Sequence, residues 1–174
     1  MRHRFPSAWA LAVTLPVAAC TDTIVINDLI NDALARQVVE RIDESNAPIV
    51  RIELESNGGW VQAGFDIVAA IERARPRARI VTRVRDHCHS MCVALFLAGD
   101  ERIADPGASF ILHAATDLEG HSLPTVTGWL LGYYLTRGVD PRWLAEGVAP
   151  EMMTSNATVS LSGRQLAERL DNPH

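Results

Sequence analysis

The chain contains no lysine; all 16 of its basic side chains are arginine. A Ser–Lys catalytic dyad and a Walker-type phosphate loop both need that primary amine, so both are excluded. The arginines form no stripe, and the formal charge of -5 becomes -7 once Arg2 and Arg4 are set aside with a leader segment. An acidic chain without a basic track argues against nucleic acid as a partner. Low-complexity tracts and internal repeats are also absent. Cysteine is scarce, at three residues, and no second Cys or His pair stands at metal-ligand spacing away from Cys88 and Cys92. The one long apolar stretch, near the amino terminus, is too short to span a bilayer.

That stretch has another reading. Arg2 and Arg4 precede an apolar segment over residues 8–17, and V-A-A-C closes it at Cys20. The pattern resembles a bacterial lipoprotein signal, cleaved before a cysteine that then carries lipid. An ordinary cleaved signal with an incidental cysteine is the alternative. Residues 1–19 are therefore expected to be removed, leaving one domain over 20–174, about 155 residues and enough to bury a core. The expected location is the periplasm, with a lipid anchor to the membrane; Thr21 and Asp22 after the cysteine favour the outer membrane. If Cys20 is lipidated, Cys88 and Cys92 remain as an even pair in an oxidising compartment. Their four-residue spacing lies near the outer limit of disulfide reach. Zinc held by Cys88, Cys92 and His87 or His89 is the competing reading.

The rest of the chain alternates strands and helices. Residues 23–26 read as a strand, and Asn31 caps a helix with Ile30, Leu34, Val38 and Ile42 on one face. Val50, Ile52 and Leu54 alternate with charged residues as a half-buried strand does, and a helix follows over Val61 to Ala74. Ile80 to Val84, Arg102 to Ala104 and Ser109 to His113 complete the strands, the last two flanking an Asp-Pro-Gly turn. This rhythm specifies an α/β layer architecture with parallel pairing and right-handed crossovers.

Chemistry concentrates between Asp86 and Gly99, D-H-C-H-S-M-C-V-A-L-F-L-A-G. A strand runs into Ser90, and a wholly apolar run from Met91 to Ala98 follows. A serine on the turn before a buried helix has its hydroxyl outside the packed layer, and nearby backbone N–H groups can face an anion. That suits an acyl-transfer nucleophile. The plainer reading is a helix N-cap. Ser56-Asn57-Gly58-Gly59 ends another strand, with glycines that permit unusual backbone conformations. His113 ends a third, at the level where a general base could stand.

The order of these motifs resembles a family. S-N-G-G-W-V-Q-A-G, H-S-M-C with L-F-L-A-G, P-G-A-S-F-I-L-H and L-S-G-R-Q-L-A are similar to the corresponding stretches of the ClpP serine peptidases, over Ile24 to about Leu170. The resemblance implies a single-domain α/β fold of the ClpP/crotonase-like type, a superhelix of ββα repeats, with no cofactor and no metal. It implies Ser90 as nucleophile, His113 as base, and an oxyanion hole at the Gly58-Gly59 turn and Met91, with Gly59 and Met91 supplying the N–H groups. Departures accompany it: Asn57 replaces the family's proline, Trp60 puts a large ring where small residues are usual, and Thr158 stands where the family has the aspartate. Asn156 is then the nearest group that could orient His113, with Asp140 and Asp171 more distant substitutes. The segment from Ser122 to Arg137 lies where the family inserts the helix used in assembly. Its Val126, Trp129, Leu130, Tyr133 and Tyr134 read as core, Trp129 included; exposure would instead suggest a homo-oligomer.

Three functions follow as expectations. The first is an envelope serine hydrolase acting on a peptide or protein substrate. The second is a weak or inactive relative serving as an envelope binding or assembly module. A crotonase-like acyl-CoA enzyme is the third, disfavoured by export away from cytosolic CoA.

Overall fold

The computed structural model describes residues 20–153 and 158–170. The expectations for the leader, residues 1–19, and for Asn156 and Asp171 lie outside them. The chain alternates β1 (Thr21–Ile26), α1 (Asp32–Glu44), β2 (Ile49–Ser56), α2 (Val61–Ala74), β3 (Arg79–His89) and α3 (Met91–Leu97). Then come β4 (Glu101–Ala104), β5 (Ser109–His113), α4 (Pro124–Thr136), α5 (Pro141–Trp143), a π-helical turn at Leu144–Val148, α6 (Ala149–Met152), β6 (Thr158–Ser162) and α7 (Gly163–Ala167).

The helices start where local chemistry dictates. Asn31 Oδ1 accepts from the N–H groups of Ala33 and Leu34, at 3.0 Å each, so α1 has its cap. Ser162 and Gln165 form a reciprocal capping box at α7. α3 is apolar all round and buried all round, as such a helix must be.

The six strands form one sheet in the order β1-β2-β3-β5-β6, with β4 paired to β3. β4 and β5 do not form a hairpin around their turn. Both run parallel to β3, β4 beside residues 81–84 and β5 beside residues 87–89. Between the two the register slips: Leu54 of β2 faces Val84, but Ser56 faces Cys88. This irregularity hides the end of β3 from a period-two reading, which stops at Val84. The expected parallel pairing holds from β1 to β5 and ends at the sheet's edge, where β6 runs antiparallel to β5. β6 reaches that edge after the α4 to α6 excursion, so no simple βαβ crossover fixes its direction.

The expectation for Trp129 is also corrected. Tyr134 is 2% exposed and Leu130 5%, but Trp129 is 66% exposed. Leu130 and Tyr134 lie four positions apart, on the covered face of α4, and Trp129 lies off it.

Candidate active site

At Ser90 the backbone reverses direction. β3 delivers the residue to the sheet edge, where its N–H donates to the carbonyl of Ile111 on β5 at 2.7 Å. Its φ of 55° and ψ of -126° make it the non-glycine residue with positive φ among the described residues. Such a conformation costs about 1–3 kcal/mol, to be met by the surrounding packing. Ser90 stands at the N-cap position of α3, yet its side chain makes no capping bond. The N-cap reading therefore does not account for the residue. The reversal also shortens the path between Cys88 and Cys92. Their Cα atoms lie 5.2 Å apart, inside the usual range, and their sulfurs are joined as a disulfide. Both thiols being consumed, the zinc reading is withdrawn.

The glycine turn packs on the serine turn. Gly58 has φ of 92° and Gly59 of 149°. A Cβ on Gly58 would lie 2.6 Å from both His89 O and Ser90 Cβ, and one on Gly59 would lie 2.1 Å from Ile30 O. The turn is thus wedged between Ser90 and Ile30, whose N–H donates to Gly58 O at 2.8 Å while Trp60 N–H donates to Ile30 O at 2.7 Å. Gly58 N–H is taken by Ser56 Oγ at 3.1 Å. Among the described residues, no backbone carbonyl accepts from the N–H groups of Gly59 or Met91.

His113 is the last residue of β5, and its Nδ1 lies 2.7 Å from the carbonyl oxygen of Ala114. A carbonyl only accepts, so Nδ1 carries the hydrogen and the neutral ring keeps a free lone pair on Nε2. The β3–β5 register sets His89 beside Ile111, two residues short of His113.

A model of the Clp protease family matches residues 16–123, well over half of the chain and inclusive of Gly58, Gly59, Ser90 and His113. The chain belongs to the Clp protease family. Among the solved structures similar to it is a mutant of ClpP1 from Listeria monocytogenes, with a TM-score of 0.69 at 17% identity, covering 84% of this chain and 86% of that one. That likeness establishes the Clp protease fold, single-domain and α/β. No curated protein matches the chain significantly.

No hydrogen bond joins Ser90 to His113 among the described residues, although such bonds are often long before substrate binds. Asp140 does not serve His113: its carboxylate caps α5, accepting from Arg142 N–H at 2.8 Å and Trp143 N–H at 3.0 Å. Thr158 is the residue paired with His113 across β5 and β6. A second histidine, missed as a participant by motif reading, bridges the site. His89 Nδ1 lies 3.2 Å from Asn57 Oδ1 and its Nε2 lies 3.0 Å from Ser109 Oγ, tying the glycine turn to β5. Burial, with the neighbouring His87 ring at 5.2 Å second, lowers its pKa below the ordinary histidine value and favours the neutral ring. The adjacency of His89 to Ser90 is visible in sequence. Its partners are not, being 32 and 20 residues away.

Proposed function

We propose that this protein is a serine hydrolase acting on peptides, with Ser90 as nucleophile and His113 as its base. The observation that carries the reading is the Ser90 turn itself: a strained, uncapped serine facing a glycine turn, with the N–H groups of Gly59 and Met91 left without carbonyl acceptors. In the reaction His113 Nε2 takes the Ser90 proton as Oγ bonds to the substrate carbonyl carbon, and the oxyanion settles against those two N–H groups. Collapse breaks the C–N bond, and the leaving amine takes the proton from His113. Water then repeats the sequence and releases the acid. The Ala114 carbonyl holds the imidazole in the right tautomer but brings no full negative charge to the imidazolium. Losing the carboxylate in the worked serine-protease case costs about 10⁴ in rate, so slow turnover is expected.

Reaction with a fluorophosphonate probe, followed by peptide mapping, tests the proposal; the expected adduct sits on Ser90. A folded protein that gives no adduct between about pH 6 and 9 would sink it in favour of an inactive binding module. The absent Ser90–His113 bond and Thr158 support that second reading.

The same proposal puts the protein in the periplasm, anchored by lipid on Cys20. Cys20 is exposed and outside any disulfide, as an acceptor must be, and the Cys88–Cys92 bond suits an oxidising compartment. Among the described residues no helix is long and apolar enough to cross a membrane. Mass spectrometry of the envelope fraction should find a lipidated amino terminus at Cys20; an unmodified terminus elsewhere would refute this part. Trp129 and Leu135, 66% and 46% exposed on α4, support self-association through that helix. Size-exclusion chromatography of Trp129→Ser should then show a smaller species than wild type.

A further inference from the structure

A cavity of about 640 Å³ opens at the end of α3 opposite Ser90, between β4, the end of α4 and α7. Its size falls within the range of small-molecule sites. Phe96, Leu166 and Leu170 contribute apolar wall, and Arg75, Arg102, Arg137 and the carboxylate of Asp100 line it as well.

Two of the three guanidiniums share two carboxylates there. Glu72 pairs with Arg75 at 2.9 Å and also with Arg137, and Asp100 pairs with Arg75 at 2.6 Å. Arg102 has no carboxylate partner among the described residues. Its Nε donates to Gly99 O at 3.2 Å and its Nη1 to Arg137 O at 2.8 Å, so it closes the carbonyl ends of α3 and α4. Those bonds fix the side chain in place without neutralising it. Burial, and next the Arg137 guanidinium, push Arg102 below the ordinary arginine range. Arg137 Nε is buried with no hydrogen-bond acceptor. The cavity thus carries an uncompensated positive charge, held rigidly beside apolar wall.

We propose that this cavity binds an organic carboxylate with an apolar body, of the size of a capped amino acid, with the carboxylate on Arg102 and Arg137 and the body against Phe96, Leu166 and Leu170. A guanidinium fork matches a carboxylate with two parallel hydrogen bonds, and the apolar wall disfavours a fully hydrated inorganic anion. The carboxyl terminus of a peptide ending in an apolar residue has this chemistry. The cavity shares no lining residue with the Ser90 turn.

Calorimetric titration of the protein with N-acetyl-leucine, N-acetyl-leucinamide and inorganic phosphate tests the site. The acid should bind, with the amide and phosphate each at least about tenfold weaker, the loss expected for a charge-assisted bidentate pair. Arg102→Met, which keeps the stem but not the fork, should lose about tenfold for the acid. Ala167→Trp should abolish binding by filling the cavity, with an unfolding transition showing that the variant is folded. Asp171→Asn, altering the residue after Leu170, should leave the affinity unchanged. The proposal is overturned if the amide or phosphate binds as tightly as the acid, or if the acid fails to saturate by about 10 mM. It also falls if Ala167→Trp binds normally, or if Asp171→Asn gains about tenfold, which would assign the arginines to the chain's own carboxylate.

Discussion

His113 and Thr158 face each other across the antiparallel β5–β6 pair. Directly opposed residues project to the same face with Cβ atoms about 4.5–5.5 Å apart, close enough for a carboxylate on one to reach an imidazole on the other. Thr158→Asp should therefore raise fluorophosphonate labelling of Ser90, by about tenfold or more out of the roughly 10⁴ that a triad carboxylate supplies. Unchanged labelling in a folded variant would show that position 158 cannot orient His113.

Labelling should also depend on His113 as the group that takes the serine proton. His113→Ala should remove most of the labelling rate at Ser90, with an unfolding transition showing that the variant is folded. A His113→Ala variant that labels at the wild-type rate would take His113 out of the mechanism.

His89 gives a separate titration. Its lowered pKa means that the unfolded chain binds a proton which the folded chain refuses, between the lowered value and the reference of about 6.5. Its contribution is thus present above about pH 6.5 and is lost as pH falls through that window. Ring resonances followed by NMR should show His89 titrating below the ordinary value; a midpoint at or above it rejects the burial argument.

The wedge formed by the glycine turn can be probed by adding one methyl group. Gly59→Ala sets a Cβ 2.1 Å from Ile30 O and enforces φ of 149° on a residue that resists it. The expected cost is about 1–3 kcal/mol, read as a lower urea midpoint, together with loss of Ser90 labelling as the N–H is displaced. Retained labelling at reduced stability would detach Gly59 from the oxyanion site.

Alkylation of denatured protein without reductant should leave Cys88 and Cys92 unlabelled. Closing so short a loop constrains the unfolded chain by about 2 kcal/mol in the chain-entropy model, so Cys88→Ala with Cys92→Ala should lower the melting midpoint by about 4–8 °C. A shift near zero would show that packing of the two fully buried side chains, rather than the bond, holds the turn.

What was legible in the sequence was local. Helix α2 is read to the residue, Val61–Ala74, because its apolar spacing and flanking turns are contained in one stretch. α1 starts where its Asn31 cap marks it, although Ile30, read as part of its face, lies before the cap and bridges to Gly59. The serine, glycine and histidine motifs share one sheet edge because each ends a strand; the ends of β2 and β5 are visible in sequence, while the end of β3 is hidden by the register slip beyond Val84. Pairing is not local, and there the reading fell short. Nothing near His113 indicates that Thr158 returns antiparallel beside it, nor does any period show that His89 finds Asn57 and Ser109. The composition of α4 reveals apolar character without saying which face is covered, and Trp129 lies on the uncovered one.

The positive φ at Ser90 sets thermodynamic fitness against chemistry. Glycine would occupy that dihedral freely, so Ser90→Gly should melt higher than wild type, by roughly 1 kcal/mol of relieved strain, while losing every trace of reactivity. A screen for heat resistance alone would discard the hydroxyl. The serine is a residue the fold tolerates at its own expense, and a thermostable inert variant is the form in which that expense becomes measurable.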